Sequence, residues 1–385
     1  MASRRGFIRT IGGTGVVLAA SAAGLATCDR MPATAVAPWQ GPTAAMDDPR
    51  ERALAWAILA PNPHNMQPWL ADLREPGVVT LAVDRTRLLP MTDPFGRQIT
   101  IGHGTFLELL DIAAREAGQR LAIELYPEGG DDPLAITGTP VARITFTADP
   151  DVGRDPLFAA IAGRRSTKQP YDMRRPPSAA ALAALGEAVA GSTVALSLAA
   201  EPTAAAPLAA LAGEAIALEM ATPRTLRESI EVTRIGAAAI AAEPDGIDLH
   251  GPLFWWLKRL GLMPPEQALT PGTLAHQGGL DSALAWVEGT PAMGWLTTPG
   301  NARRDQIAAG RAYLRLDLAA AAAGLAIHPV SQLLQEYPEM APLRQRFLAA
   351  TGTVAPTTVQ MLFRLGYAER PGPSPRRPVT AIITS

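Results

Sequence analysis

Apolar residues first recur with helical spacing shortly before position 60. Four apolar residues between positions 53 and 58 would share one face of a helix. Asp47 or Asp48 offers an N-cap, Pro49 suits the first turn, and Pro61 is a natural stop. The pattern therefore predicts a helix from about residue 48 to residue 60.

The rest of the chain mixes short strand-like runs with longer helical stretches. The hydrophobic pattern predicts strands at 69–73, 78–83, 121–126 and 141–147. It predicts helices at 100–117, 178–190 and 225–241. Gly118, directly after the second predicted helix, is a typical helix terminator.

Two of the helical stretches resemble each other. Residues 104–118 align without gaps with residues 310–324, at an offset of 206 that pairs Asp111 with Asp317 and the terminal glycines with each other. Chance similarity between two Ala-rich helices is the competing interpretation. An internal duplication would also produce this match.

Residues 219–300 form a candidate insertion in the second half. This stretch contains several prolines and four tryptophans, Trp255, Trp256, Trp286 and Trp295. Aromatic residues at such spacings are more often part of a core than of a ligand site. A long insertion that carries loops is also a common location for a gate.

Length and composition indicate a globular chain. Its 385 residues suffice for two domains, and 48% hydrophobic with 18% charged residues excludes a disordered chain. The net charge of −2 and the even mixing of acids and bases along the chain argue against nucleic acid as a partner. The sequence contains no P-loop, no G-x-G-x-x-G turn and no H-E-x-x-H zinc helix, so it indicates no metal site.

The N-terminus matches a twin-arginine export signal. Ser3 to Arg9 read SRRGFIR, and an apolar stretch rich in Gly and Ala follows from 11 to 26. A membrane anchor is the competing interpretation, but this stretch is short and weakly hydrophobic. We therefore expect a periplasmic or cell-envelope protein, exported by the twin-arginine machinery in its folded state.

Two processing sites compete downstream of this signal. Residues 35–37 read Ala-Val-Ala, so cleavage after Ala37 would leave 1–37 as signal and linker, and the Pro- and Ala-rich residues 33–49 read as a linker. Residues 25–28 form a degenerate lipobox that ends at Cys28, the only cysteine. A membrane tether through Cys28 and an incidental cysteine in a discarded peptide both stay open, while an intramolecular disulfide is excluded.

A basic cluster follows a short apolar stretch in the middle of the chain. Residues 164–168 read Arg-Arg-Ser-Thr-Lys. Guanidinium, ammonium and hydroxyl groups form charge-assisted hydrogen bonds with phosphate oxygens, each worth about 1.5–3 kcal/mol. A solvated basic turn is the alternative, so the cluster alone predicts a phosphate site only weakly.

A second segment strengthens this interpretation. Residues 60–69 read APNPHNMQPW. Together the two segments resemble the FMN-dependent nitroreductase family, in which an R-x-S-x-K/R segment holds the FMN phosphate and a P-S-x-x-N-x-Q-P-W loop lies against the flavin. The resemblance continues through 324–331 (GLAIHPVS), 360–367 (QMLFRLGY) and 374–379 (SPRRPV), so it covers most of the chain from about residue 50.

The resemblance implies an α+β, nitroreductase-like fold. Both flavin segments lie on one chain, which is typical of the fused, Acg-like branch, where two halves form an intramolecular pseudo-dimer with helices around mostly antiparallel sheets. The implied domains are a first half at 47–150 and a second half at 151–385 that includes the insertion. Fused relatives carry a lid over the flavin in this region.

The resemblance also implies the residues that hold FMN. The phosphate would bind Arg164, Arg165, Ser166 and Lys168, joined by Arg376 and Arg377 near the C-terminus. Pro61, Asn62, His64 and Asn65 would line the ring and ribityl chain, with Gln67 and Trp69 fixing the loop. Pro329, Val330 and Ser331 would offer backbone amides to the reactive edge of the flavin, and Arg97 or Arg311 would supply a cation near the ring. Asn62 and Pro63 depart from the family pattern, which puts a hydroxyl contact there in doubt.

The duplication is lopsided. The second half has no counterpart of the 61–69 loop, and the first half has no copy of the Arg-Arg-Ser-Thr-Lys cluster. We therefore expect one flavin site per chain, at the seam between the halves.

The expected function is an exported FMN-dependent oxidoreductase. Its flavin would pass two electrons by a ping-pong mechanism from a small-molecule donor to a quinone or nitroaromatic acceptor, so no catalytic side chain is assigned. Nicotinamide donors are not expected outside the cytoplasm, which favours a membrane-derived donor. The alternative is a protein that binds or sequesters flavin with little turnover.

Overall fold

The computed structural model describes residues 29–261 and 264–384. The predicted export signal and Cys28 lie outside the described residues. The first half contains helices α1 (Ala33–Val36), α2 (Pro49–Ala57) and α3 (Arg97–Glu116) and strands β1 (Trp69–Asp72), β2 (Val78–Val83), β3 (Gln119–Leu125) and β4 (Ala142–Ala148).

The second half begins with α4 (Ala179–Val189) and continues to the C-terminus. Its other helices are α5 (Pro202–Ala221), α6 (Pro223–Glu231), α7 (Ala237–Ala242), α8 (Pro252–Arg259), α9 (Pro265–Leu269), α10 (Leu274–Glu288), α11 (Arg303–Ala322) and α12 (Ala341–Ala350). Its strands are β5 (Ala195–Ala199), β6 (Thr233–Ile235), β7 (Ile247–Leu249), β8 (Ala292–Thr298), β9 (Ala326–Pro329), β10 (Thr358–Gly366) and β11 (Ile383–Thr384).

The two halves form two sheets of matching topology. The first sheet has the strand order β11-β1-β2-β4-β3 and the second the order β5-β8-β10-β9. Apart from the parallel end strand β11, neighbours pair antiparallel, with Trp69 opposite Val83 in the first sheet and Leu362 opposite Trp295 in the second. The expected α+β class, with two fused halves and mostly antiparallel sheets, is confirmed.

The duplicated helices pack directly against each other. α3 and α11 each have 20 residues, and their first residues, Arg97 and Arg303, are related by the offset seen in the sequence. At the crossing, a Cβ on Gly104 would lie 2.3 Å from the Ile307 carbonyl oxygen, and a Cβ on Gly310 would lie 2.0 Å from the Ile101 carbonyl oxygen. The contacts are reciprocal under the same offset, so this is a pseudo-twofold interface.

Helix α11 contributes to the cores of both halves. Ile307, Leu314 and Leu318 pack with the first sheet and α3, whereas Tyr313 and Leu316 pack with the second sheet. A third cluster joins α5 to the other face of the second sheet. α5 is also the one helix among the described residues that is long and apolar enough to cross a bilayer, and 44% of its most apolar window is buried in the protein.

The segment between β5 and β8, residues 200–291, contains most of the candidate insertion at 219–300, and β8 lies within the last residues of that range. The single helix expected at 225–241 is wrong. The chain turns at Val232, and β6 pairs in parallel with β7, Thr233 opposite Ile247. Gly236 then takes a φ of +87°, a conformation that favours glycine, before α7 begins. Helical periodicity could not reveal this interruption because its cause is a distant pairing partner.

The expected linker at 33–49 is also ordered at its start. α1 leads into a 3₁₀ turn at Ala37–Gln40, and Ala35 and Trp39 are buried. Composition suggested a linker because this stretch lacks a long apolar run, but Trp39 finds partners far away in the sequence.

The Gly310→Ala variant tests the helix crossing. Its new Cβ would meet backbone atoms that cannot rotate away, so the free energy of unfolding should fall by about 1–3 kcal/mol. Urea unfolding measures this change. Gly186→Ala in α4 is the matched control, because no described atom lies within 4 Å of the new Cβ. It should be neutral or stabilise by up to about 1 kcal/mol, and equal losses in both variants would contradict the tight crossing.

Candidate functional site

The basic cluster, residues 164–168, lies beside β9, the edge strand of the second sheet. It follows the 3₁₀ segment Pro156–Gly163, and the Thr167 amide donates to the Ile327 carbonyl oxygen over 2.9 Å. Ser166 forms an isolated parallel bridge with Ile327 in β9. These contacts fix the backbone of the cluster at the edge of the second sheet.

Arg164 is only 3% exposed and bridges the two halves. One guanidinium nitrogen lies 3.0 Å from the Asp317 carboxylate on α11, and another donates over 3.1 Å to the Leu59 carbonyl oxygen. Burial raises the pKa of Asp317 to about 6, although Arg164 acts in the opposite direction. Burying this carboxylate therefore costs more than its ion pair returns.

Arg376 reaches the same carbonyl from the C-terminal tail. Its side chain is also 3% exposed, and it donates to the Leu59 carbonyl oxygen over 3.3 Å. It also donates to the Asn65 side-chain oxygen and, over 2.8 Å, to the Ser374 hydroxyl. Burial, aided by the positive charge of Arg164, lowers the pKa of Arg376 to about 9. Two buried guanidinium groups thus meet at Leu59.

Trp39 covers this pair and a third arginine. Its ring centroid lies 5.7 Å from the guanidinium carbon of Arg164, 4.3 Å from that of Arg165 and 5.3 Å from that of Arg376. The indole nitrogen donates to the Ser374 carbonyl oxygen over 2.8 Å. Cation–π contacts of this kind hold guanidinium groups face-on to the ring. Sequence analysis missed Trp39, and its only signal was a lone aromatic residue in a Pro- and Ala-rich stretch.

The loop at 61–69 carries unusual backbone strain. His64, Asn65 and Gln67 have φ values of +46°, +54° and +52°, which are uncommon for residues other than glycine. Such conformations persist only where surrounding contacts impose them, and they are frequent at functional sites.

Most polar side chains of this loop form hydrogen bonds with the protein and so fix the loop. Asn62 accepts from the Gln67 amide over 2.7 Å, and Asn65 donates to the Pro375 carbonyl oxygen over 3.0 Å. Gln67 is buried and contacts Asn65, Pro244 and the amide of Arg377. The Pro61 carbonyl accepts from a threonine of α3, and Trp69 packs against Phe106. Gln67 and Trp69 thus contact the surrounding protein, and the side-chain amides of Asn62 and Asn65 donate to carbonyl oxygens of the protein.

His64 is the exception in this loop. Its Nδ1 atom is buried with no partner among the described residues, and burial, together with the charge of Lys168, lowers the pKa of the ring to about 4. The ring is therefore neutral at physiological pH and free to exchange a hydrogen bond with a ligand.

Lys168 and His328 lie beside His64. The Lys168 side chain is exposed to solvent. Desolvation by the surrounding protein nevertheless lowers the pKa of its ammonium, and the charge of Asp248 partly offsets this shift. Burial, together with the charges of Arg364 and Lys168, lowers the pKa of His328 well below its usual value. His328 accepts a hydrogen bond from Arg364 over 3.3 Å and packs edge-on against Trp286 of the insertion. The charge of Lys168 lowers the pKa of both histidines, so Lys168 lies near His64 and near His328.

The insertion contacts the His64 loop from one side. The Gly246 amide donates to the Asn65 carbonyl oxygen over 3.1 Å, and the Asp29 carboxylate accepts from the Ala237 and Gly251 amides. The N-terminal segment and the insertion are thereby joined to each other and to the His64 loop.

Several residues expected at the site point elsewhere. Arg377 donates to the carbonyl oxygens of Gln67 and Ala381, away from Arg376. Pro329 has no amide hydrogen, and the Val330 amide already donates to the Leu362 carbonyl oxygen over 2.9 Å. Ser331, partly exposed, is the residue of the three whose amide has no acceptor among the described residues.

The two cations expected near the flavin ring are also engaged with protein. Arg97 donates over 2.6 Å to the Leu334 carbonyl oxygen and over 2.9 Å to that of Gln360. Arg311 lies 2.7 Å from the Glu108 carboxylate. Both act as structural ties between elements.

The arrangement carries an excess of positive charge. Within the described ranges, no carboxylate oxygen lies within 4 Å of a nitrogen of Arg165, Lys168 or Arg376, and Asp317 balances Arg164 alone. The Nε atoms of Arg165 and Arg376 have no acceptor there either. Chemically, such a set suits a multiply charged anion such as a phosphate. No group of three or more potential metal ligands occurs in 29–261 or 264–384.

The chain is similar along most of its length to a mycobacterial protein. No protein-family model matches it. It is 25% identical over 351 residues to the putative NAD(P)H nitroreductase acg of Mycobacterium tuberculosis strain H37Rv, an alignment that covers 86% of this chain and 94% of that protein. An uncharacterized protein of the same strain is 34% identical over 127 residues, covering 32% of this chain and 35% of the relative.

Solved structures show weaker similarity. An FMN- and NADPH-dependent nitroreductase, NfnB, from Sphigopyxis sp. strain HMH aligns with 60% of this chain and 99% of its own, at 16% identity and a TM-score of 0.36. A nitroreductase with bound FMN from Bacteroides fragilis aligns with 57% of this chain and 91% of its own, at 15% identity and a TM-score of 0.32.

Asp317 should make stability depend on pH. Its pKa is about 6 in the folded protein and near 3.8 when unfolded, so the folded protein binds an extra proton between these values. Its contribution to the free energy of unfolding is therefore fully present below about pH 4 and lost as the pH rises through 6, a difference of up to about 3 kcal/mol. Asp317→Asn should remove this contribution and so reduce the slope in urea unfolding at a series of pH values, while Asp93, Asp111 and Glu219, whose pKa values burial also raises, keep theirs.

Asp281→Asn is the control for this slope. Asp281 is an exposed carboxylate on α10, and its variant should keep the parent profile. A slope that is the same in the parent and in Asp317→Asn would show that burial of Asp317 is not what couples stability to pH.

Proposed function

We propose that this chain is an exported, FMN-dependent oxidoreductase of nitroreductase type. The oxidoreductase and its cofactor are supported by the similarity to the mycobacterial protein along 86% of the chain and by a site whose chemistry suits a flavin phosphate. Arg164, Arg165 and Arg376 bind the phosphate, and Lys168 and Ser166 lie nearer to solvent beside them.

One observation carries this proposal, the burial of Arg376 beside Arg164. Two guanidinium groups held together away from water repel each other. Among the described residues Arg164 pairs directly with Asp317, whereas Asp248 acts on Arg376 only from a distance. Such an arrangement is costly unless an anion balances it. A dianionic phosphate would supply that balance and satisfy the free Nε atoms.

The remaining residues orient the cofactor rather than react. His64 and His328 lie near Lys168, and Asn65 holds Arg376 in place. Gln67 and Arg377 position the loop and tail against each other. FMN, when bound, supplies the two-electron chemistry, and the protein supplies binding, orientation and exclusion of water.

Export by the twin-arginine route is part of the proposal. It is supported by the SRRGFIR sequence and the apolar stretch behind it. We infer further that the mature chain retains residues 29–40, because Ala35 accepts from the Arg376 amide over 2.8 Å and Asp29 caps two amides of the insertion. Cleavage after Ala37 would remove these contacts, whereas processing at Cys28 would keep them.

Electrons are proposed to come from a membrane-derived donor and to reach a quinone or nitroaromatic acceptor. The similar mycobacterial protein is called a putative NAD(P)H nitroreductase. An exported enzyme, however, lies apart from the cytoplasmic nicotinamide pool, so we propose that NAD(P)H is not the physiological reductant.

A flavin-sequestering protein is the second candidate. The observation that favours it is the enclosure of the cation cluster by Trp39 on one side and by the insertion on another. A closed cover would protect a bound flavin from reacting partners.

Arg376→Ala tests the phosphate site. Loss of charge-assisted hydrogen bonds worth about 1.5–3 kcal/mol should weaken FMN binding by about 10- to 100-fold. Riboflavin, which lacks the phosphate, should bind the variant and the parent equally. Fluorescence titration of the apoprotein with both flavins measures the two affinities.

The neighbouring residue offers a matched control. Arg377→Ala removes the same charge one position later, from a side chain that faces Gln67 and Ala381. It should keep the preference for FMN over riboflavin. If Arg377→Ala loses that preference and Arg376→Ala keeps it, the phosphate lies elsewhere.

The choice of donor is tested by the kinetics of flavin reduction. Under anaerobic conditions, micromolar NADPH should bleach the bound flavin slowly, whereas a soluble quinol should bleach it quickly. Rapid bleaching by NADPH would contradict the proposed donor.

The same sample separates the two candidate functions. After photoreduction, adding a quinone or a nitroaromatic compound should reoxidise the flavin of an oxidoreductase rapidly. Slow reoxidation by both acceptors would identify a sequestering protein instead.

A further inference from the structure

Helix α8 in the insertion exposes an apolar stripe. Leu253 is 64% exposed, Trp256 is 36% exposed, and Leu260, just after the helix, is 62% exposed. Their spacing of three and then four residues places them on one face. The expectation that the insertion tryptophans belong to the core is therefore wrong for Trp256, although Trp286 and Trp295 do pack against the third core cluster.

The other sides of α8 carry cations and contacts with the protein. Lys258 donates to the Ile235 carbonyl oxygen over 2.8 Å, and the Arg259 guanidinium lies 5.3 Å from the Trp255 ring centroid. Both basic residues stay exposed. Helical spacing places Arg259 beside the stripe and Lys258 on the opposite face, where it contacts the protein. Tryptophan and leucine on one face with arginine beside them are typical of helices that lie at a membrane surface.

The N-terminus of the described chain begins at this helix. Both the carbonyl and the carboxylate of Asp29 accept from the amide of Gly251, the N-cap of α8, over 3.1 and 3.0 Å. The 28 residues before Asp29 contain the apolar stretch 11–26 and Cys28. A leader retained in the bilayer, or an acyl group on Cys28, would attach the chain to the membrane next to the N-cap of α8.

We propose that α8 docks on an anionic lipid bilayer through Leu253, Trp256 and Leu260. Arg259 pairs with lipid phosphates, and the apolar stripe enters the headgroup boundary. The same insertion contacts the His64 loop through Gly246, so docking brings the cover of the site to the membrane surface. A membrane-dissolved electron carrier would then reach the candidate flavin site without crossing water. This last consequence alone rests on the proposed function.

Tryptophan quenching tests the position of the helix. The full chain is mixed with phosphatidylglycerol-containing vesicles whose acyl chains are brominated, and tryptophan fluorescence is recorded. We expect quenching in the parent chain and loss of most of the quenched component in Trp256→Phe. Because this readout is local, it does not depend on whether the leader also inserts.

Vesicle partitioning tests the stripe as a whole. The double variant Leu253→Gln/Leu260→Gln should bind anionic vesicles at least about tenfold more weakly, because two leucines no longer transfer from water. Leu134→Gln is the matched control, since Leu134 is also 64% exposed but lies in the first half, and it should bind as the parent does. Added salt and zwitterionic vesicles should both weaken binding of the parent chain.

Other outcomes would overturn the docking proposal. Quenching that is unchanged in Trp256→Phe, or equal partitioning of the double variant and the parent, would place α8 in water. A dimer in sedimentation that the double variant dissociates would assign the stripe to a second copy of the chain. FMN titration of the same samples keeps the two proposals separate, because a chain that docks without binding FMN refutes only the proposed function.

Discussion

The close crossing of α3 and α11 at Gly104 and Gly310 determines where the rest of the structure can lie. Only residues without side chains allow the two helix backbones to approach this closely. With that distance fixed, Asp317, two turns beyond Gly310, lies where Arg164 can reach it. Arg164 in turn reaches Leu59 of the first half. The crossing thus sets the geometry of a cation cluster whose members come from distant parts of the chain.

The sequence predicted local structure well where local causes decide it. Asp48 and Pro49 begin α2 as expected, and the chain after α3 turns at Gly118 with a φ of +67°. The predicted strands at 69–73 and 78–83 match β1 and β2 within a residue. Failures occurred where a distant partner decides: β6 exists because β7 pairs with it, and the 33–40 segment is ordered because Trp39 stacks on arginines more than a hundred residues away.

The candidate site shows the same division. The basic cluster and the 61–69 loop were visible as residue types, and the structure brings them together through Arg376 and Asn65. Sequence could not separate Arg376 from Arg377, because adjacent residues in an extended segment point in opposite directions. Nor could it show that the Val330 amide is already committed to Leu362. Such assignments depend on hydrogen bonds between segments that the sequence does not order in space.

The two halves also explain why the cations gather on only one side of the pseudo-twofold axis. Asp111 and Asp317 are equivalent under the sequence offset, but their partners differ. Asp317 is fully enclosed and receives Arg164 from the basic cluster. Asp111 is less enclosed and lies near Arg115 of its own helix and Arg311 of the facing helix, at 3.3 and 3.6 Å.

The environment of Asp111 leaves no positive charge for a ligand to balance. Arg311 is shared with Glu108, which also binds Arg315, and Arg315 extends to Asp155. Every arginine that reaches this side from α11 is therefore matched by a carboxylate. On the side of Asp317, three arginines reach the cluster from outside the helix pair. Among the described residues Asp317 pairs with Arg164, and Asp248 acts on Arg376 only from a distance. The excess charge therefore lies on the side that the basic segment 164–168 reaches, and within the described part of the chain it marks this side as the candidate anion site.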